Sequence, residues 1–138
     1  MPRSLIAVIL AVAACDRPDS PEVAAQKAQL EAAQATCVKL FQRQRACTDA
    51  YIPALVDLRR ELDVPEGIAH QPRAELVAVA LEEWKADSTD EAIGAQCGRL
   101  AGALSPASLT LAKGCLETSA CGELVACVTP LMREQLAK

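Results

Sequence analysis

Residues 22–50 read EVAAQKAQLEAAQATCVKLFQRQRACTDA. Ala, Gln, Lys, Glu and Leu dominate this stretch, and all favour the helix. Leu30, Ala33, Cys37, Leu40, Gln44 and Cys47 recur at alternating spacings of three and four, which places them on one helical seam facing a partner. Two cysteines lie on that seam, so the helix is expected to be stapled through it to another part of the chain. Ser20-Pro21 just upstream forms an N-cap and first-turn pair. Downstream, Ile52-Pro53 predicts an interruption near Ala50, because the residue before proline avoids the α region; Pro53 then starts a shorter helix to about Leu62.

The remaining chain continues in the same style. Asp63-Val64-Pro65-Glu66-Gly67 reads as a turn. Gln71-Pro72 opens a third helix with Leu76, Val77, Ala80, Leu81 and Trp84 as its apolar stripe. Ser88-Thr89-Asp90-Glu91 reads as a capping box for a fourth helix carrying Cys97. Ser105-Pro106 starts a fifth, stopped by Gly114. Cys115, Cys121 and Cys127 follow six apart; six residues rotate about 240° on a helix, so a break near Thr118-Ser119 is implied. Thr129-Pro130 is expected to kink or restart the tail. Asn is absent and no run alternates β-branched and polar residues, so hairpin and strand signals are missing. The predicted fold is all-α, a small disulfide-stapled bundle of about five to six helices.

The core is expected to be thin. Phe41, Tyr51 and Trp84 are the only large aromatics, and the apolar content is mostly Ala, Leu and Val, of which alanine buries little area. Disulfides at about 2–4 kcal/mol each are expected to supply a large share of the stability. Cys37, Cys47, Cys97, Cys115, Cys121 and Cys127 form an even set for this purpose. The expected pairing joins the long helix to the C-terminal cluster, with Cys97 also joined to that cluster. Neither Cys-x-x-Cys nor a histidine pair occurs, so structural disulfides are favoured over zinc or a redox centre. Cys37-x9-Cys47 is similar to half of a twin Cys-x9-Cys helical hairpin, but Cys115-x11-Cys127 around Cys121 departs from that pattern, and the likeness is one of geometry.

The seventh cysteine belongs to a different stretch. Arg3 precedes an apolar run, Leu5 to Ala14, which ends in Val12-Ala13-Ala14-Cys15 and an abruptly polar Asp16-Arg17-Pro18-Asp19-Ser20-Pro21. As a helix the run rises about 15 Å, half a bilayer's hydrocarbon core, which argues against a permanent span. The order of charge, apolar run and small residues is that of an export signal. Val12-Ala13-Ala14-Cys15 resembles the lipobox of bacterial lipoproteins, a resemblance confined to the first fifteen residues or so. It implies cleavage before Cys15, acylation of that cysteine, and anchoring in an envelope membrane. Asp16 after such a cysteine resembles the inner-membrane retention signal of enteric-type bacteria. The expected organisation is a signal peptide over 1–14, a lipidated tether over 15–20 spanning about 20 Å at full stretch, and one cysteine-rich helical domain over 21–138, periplasmic or surface-facing and close to the membrane.

Charge and motifs narrow the function only by exclusion. Removing residues 1–14 takes away Arg3, leaving thirteen basic against eighteen acidic side chains; nucleic-acid binding would need the opposite balance. No phosphate loop, haem-attachment motif or nucleophile elbow is present, and no cofactor, metal or small-molecule ligand is expected. His70, the only histidine, lies in a loop and reads as solvated or capping. Asp87, Asp90 and Glu91 lack an EF-hand pattern and read as helix-start carboxylates. Lys39, Arg43, Arg45, Arg59 and Arg60 gather around the first helix break as a candidate basic patch for an acidic envelope partner. The favoured reading is a membrane-anchored, non-catalytic binding or structural module. The alternatives are a thiol-disulfide enzyme using Cys115 or Cys121, a hydrolase using the acidic cluster, and an inhibitor or chaperone-like partner protein.

Overall fold

The computed structural model describes residues 20–138; the stretch carrying the signal and Cys15 lies outside them. Among the described residues there are six α-helices and no strand: α1 (Pro21–Ala46), α2 (Thr48–Leu62), α3 (Arg73–Asp87), α4 (Asp90–Leu100), α5 (Pro106–Leu116) and α6 (Cys121–Leu136), with short 3-10 turns at Ile68–His70 and Ala101–Ala103. The small all-α, disulfide-stapled bundle is therefore the observed architecture.

Local chemistry sets three of the six helix starts through a capping hydroxyl. The Ser20 hydroxyl accepts from Val23 N–H with Pro21 in the first turn, and Ser105 accepts from Ser108 N–H ahead of Pro106. Each satisfies one of the orphan donors of a helix N-terminus. The cap of α4 is Thr89, which accepts from Ala92 N–H. The reciprocal box expected from Ser88 does not form: the cap sits one residue later, and Ser88 is buried with its carbonyl taken by Arg45.

Proline acts differently from expectation. The first long helix ends at Ala46, not at Ile52-Pro53, and Pro53 lies inside α2. Pro130 likewise lies inside an uninterrupted α6. An interior proline deprives the carbonyl four residues back of its donor. Those carbonyls belong to Asp49 and Ala126, both exposed, so water can take the place of the missing N–H. The actual break is at Cys47, whose N–H bonds back to Arg43 and Gln44 carbonyls while its own carbonyl accepts from Ala50 and Tyr51. The Thr48 hydroxyl takes the Arg45 carbonyl at 2.7 Å. Helix α5 also runs past Gly114 to Leu116; the fully buried Cys115 outweighs the roughly 1 kcal/mol that an interior glycine costs.

The turn after α2 is held by one carboxylate. Asp63 caps α2 with φ 53°, and its Oδ1 accepts from Gly67 and Ala69 N–H at 2.9 and 3.1 Å. These two donors hold the Asp63 carboxyl below the usual carboxylate range. Gly67 adopts φ 87°, a conformation that favours glycine.

The seam of α1 is buried from Ala33 through Thr36, Cys37, Leu40 and Gln44 to Cys47. Leu30, expected on the same seam, is 48% exposed, and every residue from Pro21 to Ala32 is exposed. The first three turns of α1 thus form an exposed helical arm, whose inner side from Gln26 to Ala32 borders the Ala101–Ala103 turn and the start of α5. The larger core cluster joins Leu40, Tyr51, Ile52, Trp84, Leu124 and Val128, and a smaller one joins Cys37, Ile93 and Cys97.

Three disulfides close the six described cysteines: Cys37–Cys97, Cys47–Cys121 and Cys115–Cys127. Cys47–Cys121 staples the long helix to the C-terminal cluster as expected. Cys97 does not join that cluster. Helix α4 packs on α1 rather than α6, which places Cys97 against Cys37, while Cys115 and Cys127 close the α5–α6 hairpin across the break.

Candidate functional site

All three large aromatics of the chain converge. The Phe41 and Trp84 rings are stacked with centroids 6.3 Å apart, and Tyr51 lies 5.2 Å from Trp84 at a 48° tilt. Such offset arrangements add to the burial of the rings. Trp84 is fixed by its indole N–H, which donates to the Thr48 hydroxyl at 3.0 Å. That hydroxyl in turn donates to the Arg45 carbonyl, tying the indole to the α1–α2 corner.

A crevice of about 220 Å³ opens over this cluster, walled by α2, α3 and α6, with Phe41 and Gln96 contributed by α1 and α4. Behind it lies a smaller cavity of about 60 Å³. Phe41, Tyr51, Met132 and Gln135 line both. The polar groups along this path are short of partners. Gln44, 5% exposed, presents an Oε1 with no hydrogen bond to the inner cavity. Tyr51, 6% exposed, makes no side-chain hydrogen bond among the described residues, and burial pushes its phenol up to about 12, with the Arg59 charge pulling the other way. Arg59, Glu83 and Asp87 line the outer crevice, and none of the three forms an ion pair among the described residues. A broader groove of about 520 Å³ runs between the α1 arm and the start of α5. It holds one charged side chain, Lys113, and no buried polar group.

The candidate basic residues are distributed around the body. Arg43 donates to the Thr118 and Ser119 carbonyls, joining α1 to the α5–α6 turn. Arg45 donates to the Ser88 carbonyl at 2.7 Å and pairs with Asp90 at 2.8 Å, joining α1 to the α3–α4 turn. Arg60 donates to the Ala69 carbonyl. Three of the five guanidinium and ammonium groups thus work as internal cross-links. Lys39 and Arg59 have no such partner among the described residues. Of the acidic cluster, Asp90 is held by Arg45, Glu91 is exposed, and Asp87 reaches the crevice. His70 is exposed at the end of its 3-10 turn. No group of three His, Cys, Asp or Glu side chains arranged to hold a metal occurs among the described residues.

The crevice was not foreseen from the sequence. Phe41, Tyr51 and Trp84 are separated by ten and thirty-three positions, and nothing local marks them as neighbours. The one available signal, and for the inner cavity only, was Gln44, a polar residue on an otherwise apolar seam. Chemically the crevice offers an aromatic floor, one cation and two carboxylates, a set suited to holding and orienting a small molecule. No known protein family, characterised protein or solved structure matches this chain.

Proposed function

We propose that the chain is an exported, lipid-anchored protein of a bacterial envelope whose helical domain serves as a non-catalytic binding module. The observation that carries this reading is the closure of Cys37, Cys47, Cys97, Cys115, Cys121 and Cys127 into three disulfides. Such bonds form and persist in oxidising compartments. Their closure also leaves no cysteine in the chain for Cys15 to pair with, which suits a residue reserved for acylation. No helix among the described residues is long and apolar enough to cross a membrane, so attachment in this reading rests on the acylated Cys15, whose two or three chains hold it essentially permanently. The start of the exposed arm modifies the expected geometry: the residues ahead of Gln26 add about 8 Å to the tether before the helix meets the body.

The test is mass spectrometry of the mature N-terminus after expression in a bacterial host, with detergent-phase partitioning as a second readout. The expected result is a chain beginning at a diacylglyceryl-modified Cys15, and a soluble or unprocessed chain for Cys15→Ser. A mature protein with an unmodified Cys15, or one cleaved elsewhere, sinks the reading.

A further inference from the structure

Opposite charges line the outer crevice without closing into a pair, whereas several pairs elsewhere on the body are closed. Asp57 and Arg73 pair at 2.6 Å, Glu61 and Arg133 at 3.0 Å, and Arg45 and Asp90 at 2.8 Å. Arg59 on α2 faces the same crevice as Glu83 and Asp87, one turn apart on α3, yet it pairs with neither. The opposite charges therefore stand across the crevice with room between them. A simple anion here would meet two carboxylates and a simple cation would meet a guanidinium. A molecule carrying both charges a few bonds apart satisfies both walls. The floor between them is apolar, formed by Phe41, Ile52, Leu55, Trp84 and Met132. At its back stands the Tyr51 phenol, more than nine-tenths buried and without a hydrogen-bond partner among the described residues. At about 220 Å³ the crevice is below the size of drug-like pockets and suits a small metabolite.

We infer that this crevice is a binding site for a free α-amino acid with a large apolar side chain. The carboxylate lies on Arg59, the ammonium between Glu83 and Asp87, and the side chain over Trp84 toward Tyr51. This supplies the proposed binding module with a ligand class, departs from the sequence-level expectation of no small-molecule ligand, and is independent of the anchor.

The single tryptophan makes the site self-reporting. The full mature chain, in non-ionic detergent, is titrated with L-phenylalanine, N-acetylphenylalanine and phenylalaninamide while Trp84 fluorescence is followed, with calorimetry as a check. Phenylalanine is expected to bind saturably, and each derivative, lacking one of the two charges, about tenfold more weakly. Arg59→Gln should weaken phenylalanine about tenfold and leave phenylalaninamide unchanged, because the amide has no carboxylate for Arg59 to hold. Three results overturn the inference: no saturation up to about 10 mM, equal binding of all three compounds, or an Arg59→Gln variant that weakens phenylalanine and its amide alike. A flat titration removes the amino-acid site and leaves the anchored-module reading to be decided by the N-terminal mass.

Discussion

Raising the pH should titrate one group whose response is fully resolvable. Tyr51 is the only tyrosine in the chain, so the ultraviolet absorption of tyrosinate reports it alone. Burial raises its phenol from 10.0 to about 12, because the ionised form would lose its hydration with no donor in reach. That difference corresponds to roughly 3 kcal/mol between the protonation states. The folded state holds the proton more tightly than the unfolded state, so this contribution is intact below pH 10 and is lost as pH rises from about 10 to about 12. Native protein should therefore ionise near 12 and urea-unfolded protein near 10, with unfolding free energy falling by up to roughly 3 kcal/mol across that interval. The comparison is with Tyr51→Phe, which should remove this part of the slope. At neutral pH that variant should be as stable as the parent or slightly more so, since the hydroxyl it removes has no partner. A native midpoint near 10, or an alkaline slope that persists unchanged in Tyr51→Phe, would refute the burial argument.

Two further expectations concern stability, both measured by urea denaturation. Replacing the disulfides pairwise by alanine should cost about 4.4 kcal/mol for Cys47–Cys121, 4.3 for Cys37–Cys97 and 2.8 for Cys115–Cys127, as loop-closure entropy gives for separations of 74, 60 and 12; a largest loss at Cys115–Cys127 would mean that chain entropy is not the governing effect. Gln44→Leu should raise stability by about 1 kcal/mol by removing a buried acceptor without a partner, whereas Leu124→Ala, at a site with no exposure, should cost about 2–5 kcal/mol.

What could be read from the sequence was decided within a few residues of itself. Ser20-Pro21 and Ser105-Pro106 start helices because a hydroxyl three residues upstream of an N–H suffices to cap it, whatever surrounds it. The necessary break between Cys115 and Cys121 followed from helical rotation alone. Pro53 and Pro130 misled because the cost of an interior proline depends on whether the carbonyl four residues back faces water, and exposure at Asp49 and Ala126 is a property of the packed bundle. The partner of Cys97 was hidden for the same reason: it depends on which helix α4 lies against. Leu30 fits the seam by spacing but lies beside Gly102 at the edge of the packed body, where it stays half exposed, since periodicity says which face is apolar and not where the partner ends. The crevice needed Arg59, Glu83, Trp84 and Met132 brought together from three helices, and no local pattern encodes that.

The disulfides bear on the crevice as well as on stability. Phe41 lies one turn after Cys37, Tyr51 one turn after Cys47, and Gln96 directly before Cys97, so crevice-lining residues on α1, α2 and α4 each stand beside a cystine. An ordinary close-packed core leaves few voids, because its helices close over an under-packed space. Covalent cross-links at these points fix the helix spacing independently of the packing, which allows a cavity lined by unpartnered Gln44 and Tyr51 to persist where an ordinary core would collapse on it. Phe41 lies twenty residues along α1 from Pro21, which puts the crevice about 30 Å from the base of the arm.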